Sequence, residues 1–172
     1  MRRLGVIVAL GVTLGMLGGV LTASPALAGR GPKWEFLPAE TSTVPSSFCG
    51  FAVQVTPVSK QFAKFLKATD GSETVLITGT LTLSFTNLST GKTITENTSA
   101  SSRFTANADG SVTAATRGHS PLVLSPADAQ RFELPNVSVV AGALTVSMDS
   151  GGNLTSLSLN GHVLVDVCAA LG

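Results

Sequence analysis

Two residues near the end of the chain have the types and the spacing of an acid–base pair. His162 and Asp166 are four positions apart in a stretch rich in alternating apolar residues, and a regular strand would present both side chains on one face. A carboxylate beside an imidazole can orient it for proton transfer or for contact with a ligand. Two solvated groups at a strand edge would have the same spacing. We prefer the interpretation as solvated groups, keep a polar pair in a lumen or ligand site as the alternative, and assign His162 and Asp166 no catalytic role.

Other chemical motifs are sparse. The second histidine, His119, lies in a loop or at a strand end within residues 116–121. The chain has no G-x-S-x-G nucleophile motif and no metal-ligand spacing. Residues 90–92 share letters with a phosphate-binding loop but lack its preceding glycine and its following helix. The sequence predicts no catalytic residue, no metal and no cofactor, and it favours a binding or structural role over an enzyme.

The only two cysteines, Cys49 and Cys168, stand near opposite ends of the part that is expected to fold. An exported chain with two cysteines usually pairs them. A disulfide requires Cα atoms about 5 to 6 Å apart, so the bond would make the first and last strands neighbours, as in a closed barrel. Two free buried thiols are the alternative.

The predicted strand faces conflict with this bond. Cys49 falls on the apolar face of the first strand, whereas Cys168 falls on the face of His162, opposite to the valines around it. A β-bulge at Gly50 or Gly161 would shift the alternation and resolve the conflict, and we prefer that interpretation. Otherwise the N-terminal arm or a second subunit covers the outside of the last strand.

The elements that position these residues are expected to follow a leader. Two arginines precede an apolar, glycine-rich run over residues 4–22, and Ala26 and Ala28 supply the small residues of a cleavage site. Residues 1–28 are predicted to be a secretory signal peptide, with a membrane anchor as the alternative. The mature protein would then be extracellular, free or associated with the cell envelope, and would have no membrane span.

Charge excludes one class of partner. The chain has 11 Lys and Arg against 10 Asp and Glu, and without Arg2 and Arg3 nine basic residues remain. Apart from Lys60, Lys64 and Lys67, the basic residues are dispersed along the sequence. This composition predicts no nucleic-acid partner and no basic membrane patch.

Period-two alternation dominates residues 47–172. From residue 75 to 85 apolar and hydroxyl side chains alternate almost without interruption, and turn sequences recur at residues 69–72, 87–92, 107–111 and 149–153. This pattern indicates strands with one buried face. We predict an all-β domain, a single antiparallel β-barrel or closed sandwich of about eight strands.

Two other elements are predicted. Ser125, Pro126 and Asp128 form a helix start signal, so one short helix is expected over residues 125–132. Residues 29–46 contain three prolines and no periodicity, and they are predicted to be an extended arm. Trp34 and Phe36 would lay this arm on the barrel.

Two segments, residues 79–95 and 152–172, resemble small exported proteins of actinobacteria that have no assigned function. The shared motifs are N-x-x-T-G-K and G-H-V-x-x-D-V-C. The resemblance implies a compact barrel loosely similar to allene-oxide-cyclase-like or lipocalin-like barrels, and it carries over no catalytic residue.

Three functions follow as expectations. The first is a binding module that holds a small apolar ligand inside the barrel, since about eight strands leave room for one. The second is a structural or cell-surface interaction protein, with an envelope component or another protein as its partner. The third, with the least support, is a cyclase- or isomerase-like enzyme that uses His162 and Asp166. The sequence does not determine the oligomeric state.

Overall fold

The computed structural model describes residues 32–172. The predicted signal peptide, residues 1–28, lies outside the described residues. None of the helices in the described part is long and apolar enough to cross a membrane. The elements are β1 Glu35–Leu37, β2 Ser42–Val44, α1 Ser46–Cys49, β3 Val53–Lys67, β4 Glu73–Asn87, β5 Thr93–Asn97, β6 Ala100–Ala106, β7 Val112–Val123, α2 Pro126–Phe132, β8 Val137–Met148, β9 Leu154–Asp166 and α3 Val167–Leu171.

All nine described strands belong to one antiparallel sheet, as the all-β prediction requires. Its order is β1–β3–β4–β6–β7–β8–β9, while β2 pairs with β3 and β5 pairs with β4. Closure into a barrel is not confirmed, because β8 is the only described strand that pairs with β9. The sheet is open, with β9 at one end.

Three long strands turn a sharp corner at a row of glycines. Gly118 of β7 pairs with Gly142 of β8, which pairs with Gly161 of β9. A Cβ at Gly142 would overlap the carbonyl oxygen of Asn160, and its φ of 121° is open almost only to glycine. The bend brings the hydroxyls of Thr116 and Ser120 to 2.8 Å, although a straight strand would separate residues four apart by about 13 Å.

The part of β7 and β8 beyond this corner lies between two apolar clusters. Four consecutive residues, 137 to 140, are buried, and neighbouring residues of a strand point to opposite faces. Val137 and Val139 pack with the first cluster, whereas Val140 packs with the second. The first cluster also contains Val44, Val53, Val55, Leu83, Phe85, Val123, Val167 and Leu171, and the second contains Ala114, Leu122, Leu124, Ala129, Leu144, Val146 and Met148. The fold therefore buries its apolar residues by folding an open sheet on itself.

The predicted helix is confirmed as α2. Ser125 is its N-cap, and its hydroxyl accepts a hydrogen bond from the Asp128 N–H at 3.1 Å, which satisfies one of the free donors of the first turn. The helix packs through the buried Ala129. Its Arg131 guanidinium donates to the carbonyl oxygens of Leu154 and Thr155 at 3.1 and 3.0 Å.

The predicted arm is extended where it is described. Its two short strands, β1 and β2, pair with opposite halves of the same edge of β3. Phe36 contacts Phe62 edge to face, with ring centroids 6.0 Å apart. Trp34 remains 48% exposed and Phe36 59% exposed, so the arm is joined to the sheet through backbone hydrogen bonds and through Val44, which is buried in the first cluster.

A disulfide joins Cys49 and Cys168, with Cα atoms 5.1 Å apart. The prediction that both cysteines lie in strands is wrong, because Cys49 ends α1 and Cys168 lies in α3. Neither glycine named above is needed as a bulge, since helical residues have no strand face. The bond connects the turn before β3 to the turn after β9, and it does not require these two strands to pair.

Helix α3 covers the end of the fold at which the disulfide lies. Its residues Val167 and Leu171 are fully buried in the first cluster. The side-chain amide of Asn87, itself buried at the end of β4, donates to the Leu171 carbonyl at 3.1 Å. The C-terminal turn is therefore held by packing and by a buried hydrogen bond in addition to the disulfide.

Hairpin turns at the opposite end of the sheet each engage an aspartate. In the β8–β9 turn, the Asp149 carboxylate accepts hydrogen bonds from the Asn153 side chain at 2.9 Å and from the Gly151 N–H at 2.9 Å. These bonds favour the charged form. The Asn153 side chain, followed by the backbone N–H groups, lowers the pKa of Asp149 below its ordinary value of 3.8.

This pKa shift predicts a pH dependence. A carboxyl whose pKa is lower in the folded state adds stability above its ordinary pKa, and that stability is lost as the pH falls through the folded value. We expect Asn153→Ala to raise the pKa of Asp149 towards 3.8, as followed by NMR titration of the carboxyl carbon. Asp70, which its own turn residue Ser72 engages, is the internal control. An Asp149 titration that is the same in both proteins would contradict the assignment.

Candidate anion-binding face

The structure does not bring His162 and Asp166 together. The pairing of β8 with β9 shifts between Val139 and Val140 and leaves Leu164 as an extra residue. Beyond this bulge Asp166 pairs with Ser138, whereas His162 pairs with Ala141, so the two side chains lie on opposite faces of the sheet. The Asp166 carboxylate instead accepts the Ala169 N–H at 3.1 Å and caps α3. No ion pair joins the two residues within the described chain.

The interior contains a small cavity. Its volume is about 90 Å³, and it lies beside the glycine corner. Apolar and hydroxyl side chains line it, among them Leu37, Ile77, Leu81, Phe104, Thr116 and Ser120. Sites for small organic ligands usually enclose about 300 to 1,000 Å³, so this cavity is several times smaller than such a site.

The outer face of the sheet carries the basic residues instead. Residues paired across neighbouring strands share a face, and the register links Lys64 to Leu76, Leu76 to Arg103 and Arg103 to Ala115. The same row continues through Thr145 to Ser158. Lys64 and Arg103 therefore point to the same side of the sheet.

Two further rows add basic residues and histidines to this side. Arg117 pairs with Ser101 and Ala143, two residues along from the Arg103 row. One row further, His119 and His162 flank Ala141 from either side, and Lys60 pairs with Thr80 on β4. We call this side, defined by Lys60, Lys64, Arg103, Arg117, His119 and His162, the cationic face.

An open groove lies in the cationic face between the two arginines. It has a volume of about 380 Å³, and both Arg103 and Arg117 line it. Apart from Leu76, the other lining residues have short side chains, including Ser101, Ala115, Ala143 and Thr145. Short side chains between two long guanidinium groups leave a depression that solvent or a ligand can enter.

No strand residue of the cationic face is a carboxylate in the described chain. The four acidic residues of the strands pair with positions on the other face: Glu35 with Ala63, Glu73 with Lys67, Glu96 with Leu83 and Asp166 with Ser138. The only ion pair of the described residues joins Lys67 and Glu73 at 3.3 Å. Arg103 and Arg117 therefore have no internal counter-ion there.

This arrangement can bind oxyanions. The planar guanidinium group of arginine presents paired N–H donors that match a carboxylate, sulfate or phosphate group. Two such groups on diagonal positions of neighbouring strands, about 7 to 8 Å apart at the backbone, can contact successive charges along one polymer chain. The exposed Thr and Ser side chains around them supply further hydroxyl donors.

Sequence reasoning missed this site because its members are dispersed. Lys60 and Arg117 are 57 positions apart and are separated by three hairpins, β3–β4, β4–β5 and β6–β7, so no run of basic residues marks the face. The available signal was the even spacing of Lys60 and Lys64, which are four positions apart and therefore share one face of β3. Spacing within one strand says nothing about which residue of another strand stands beside it.

Comparisons with known proteins do not extend this description, since no protein-family model, no curated protein and no solved structure matches the chain.

Proposed function

We propose that this chain is an exported interaction protein whose cationic face binds an anionic polymer of the cell envelope. The polymer would carry phosphate or carboxylate groups at regular intervals, as acidic polysaccharides do. The observation that carries the proposal is the pair of exposed arginines, Arg103 and Arg117, which line one open groove on a face whose described strands contribute no carboxylate.

The disulfide supports the choice of partner. The Cys49–Cys168 bond fits an oxidising compartment, because disulfides persist there and are rare in the cytosol. A protein outside the membrane meets the polymers of the envelope at high local concentration. Secretion itself is part of the proposal, together with removal of residues 1–28.

The apolar-ligand module is the weaker proposal. It needs an interior space, and the cavity of about 90 Å³ gives it little support, since such modules usually enclose several hundred Å³. It also needs a closed barrel, whereas β9 is paired on one side only within the described sheet. The second expectation from the sequence, an envelope interaction protein, fits the exposed face better.

A retention assay tests the proposal. The purified protein would be passed over immobilised dextran sulfate, polygalacturonate and uncharged dextran. We expect retention on the two anionic polymers at low salt, and release near 1 M salt, where the Debye length is about 3 Å. Equal behaviour on uncharged dextran, or binding that salt does not weaken, would overturn the proposal.

A further inference from the structure

The outer edge of β9 is the longest unpaired strand edge in the described sheet. The strand has 13 residues, Leu154–Asp166, and among described strands it pairs only with β8. An edge of this length exposes a row of backbone N–H and C=O groups that another strand can pair with. Proteins that remain monomeric usually protect such an edge.

The two ends of the sheet differ in this protection. At the other end, β1 and β2 cover parts of the β3 edge, and β3 itself contains Pro57 and three lysines. Proline and lysine are the residues that commonly prevent edge pairing. β9 contains no proline, lysine or arginine. Within the described residues, no strand covers its outer edge and none of the residues that commonly prevent edge pairing is present in it.

Two structural elements limit the usable part of the edge. At the start of β9, the Arg131 guanidinium already occupies the carbonyl oxygens of Leu154 and Thr155. At its end, the chain turns into α3 at Val167. Residues 156–165 remain available, and their centre is near Asn160.

This segment is complementary to itself. If two copies pair antiparallel with Asn160 opposite Asn160, Leu157 lies opposite Val163 of the second copy on one face. On the other face Ser158 lies opposite His162 of the second copy. The first pair joins partly buried apolar residues and the second joins exposed polar ones, so the pairing preserves the character of both faces.

We infer that β9 pairs with β9 of a second copy and joins the two sheets into one. The interface is symmetric, because the same residues contribute from both sides. A two-fold axis normal to the sheet keeps both cationic faces on the same side of the joined sheet. The inference rests on the edge alone and does not depend on what the cationic face binds.

Sedimentation velocity over a concentration series tests it. We expect the purified protein to be dimeric, and Ser158→Lys with His162→Lys to weaken dimerisation about tenfold, because lysine then faces lysine at two symmetric places. The matched control is Thr78→Lys with Thr80→Lys, which adds two lysines to exposed positions of the same face in the centrally placed β4. A monomeric native protein, or equal weakening by both double variants, would overturn the inference.

A cross-linking experiment tests the register. Because both native cysteines are in a disulfide, Asn160→Cys introduces a single reactive thiol at the predicted two-fold axis. We expect a short bis-maleimide to link this variant into a covalent dimer and to leave Thr80→Cys monomeric. Equal cross-linking of the two variants would refute edge pairing. A monomer whose β9 amides resist exchange would refute it too, and would indicate that another part of the chain pairs with the edge.

Discussion

Replacing Cys49 and Cys168 together with alanine is expected to lower the free energy of unfolding by about 2 to 5 kcal/mol. The bond closes a loop between residues 119 positions apart, and a loop of this size loses much of its freedom in the unfolded chain when it is cross-linked. Denaturant unfolding monitored by circular dichroism measures the change. The fold itself should remain recognisable, because strands contribute most residues of both apolar clusters.

Leu83→Ala is the matched control for this variant. Leu83 is 1% exposed in the first cluster, and its truncation should also cost about 2 to 5 kcal/mol, here through an unfilled cavity. Amide exchange separates the two causes. The cysteine variant should lose protection first in α1, α3 and the adjoining ends of β3 and β9, and Leu83→Ala across β3 and β4. Uniform loss of protection in the cysteine variant would contradict this expectation, because it would mean that the bond stabilises the whole sheet and not only the segments next to the two cysteines.

Reversing the charge of both arginines in the groove is expected to weaken binding to the anionic polymers by about 100-fold or more. Each arginine can donate a hydrogen bond to a charged group worth about 1.5 kcal/mol at the lower end of the usual range. Two such losses correspond to about 3 kcal/mol, or about two factors of ten in affinity. Repulsion by the new glutamates should add to this. The measurement is a titration of Arg103→Glu with Arg117→Glu against dextran sulfate at fixed salt.

The control separates the groove from overall charge. Lys33→Glu with Lys92→Glu changes the net charge by the same amount at exposed positions outside the cationic face. We expect this variant to lose less than tenfold in affinity. The groove variant should keep the native stability, since both arginines are exposed, and the control should lose at most about 1 kcal/mol with the hydrogen bond from Lys92 to the Gly172 carbonyl. Equal losses in the two variants would mean that binding follows net charge and that the groove is not the site.

Local chemistry made part of the structure predictable. The alternation in residues 75–85 became β4 with Leu83 and Phe85 buried, because a strand alternates its faces whatever it pairs with. The start signal at Ser125 became α2, because its hydrogen bond closes within three residues. The cysteine pair formed as predicted, since each had only one possible partner.

Other predictions failed where contacts with a distant part of the chain determine the local conformation. The alternation read across His162 and Asp166 assumed a regular strand, whereas pairing with β8 produced a bulge at Leu164. The cysteines were assigned to strands because their flanking residues are apolar, but those residues are buried by short helices packed on the first cluster. In both cases the partner element determines the local conformation.

The sequence by itself determined the strands, the short helix and the disulfide partners, since these depend on side-chain alternation, local hydrogen bonds and a count of two thiols. Only the tertiary structure decided that the sheet stays open, that it folds at Gly118, Gly142 and Gly161, and that Arg103 stands beside Arg117. These features depend on register, which links residues many positions apart through backbone hydrogen bonds that every residue type can form. Because those bonds are nearly independent of side-chain identity, the sequence of one strand does not specify its neighbour, and the cationic face exists only once the whole sheet has formed.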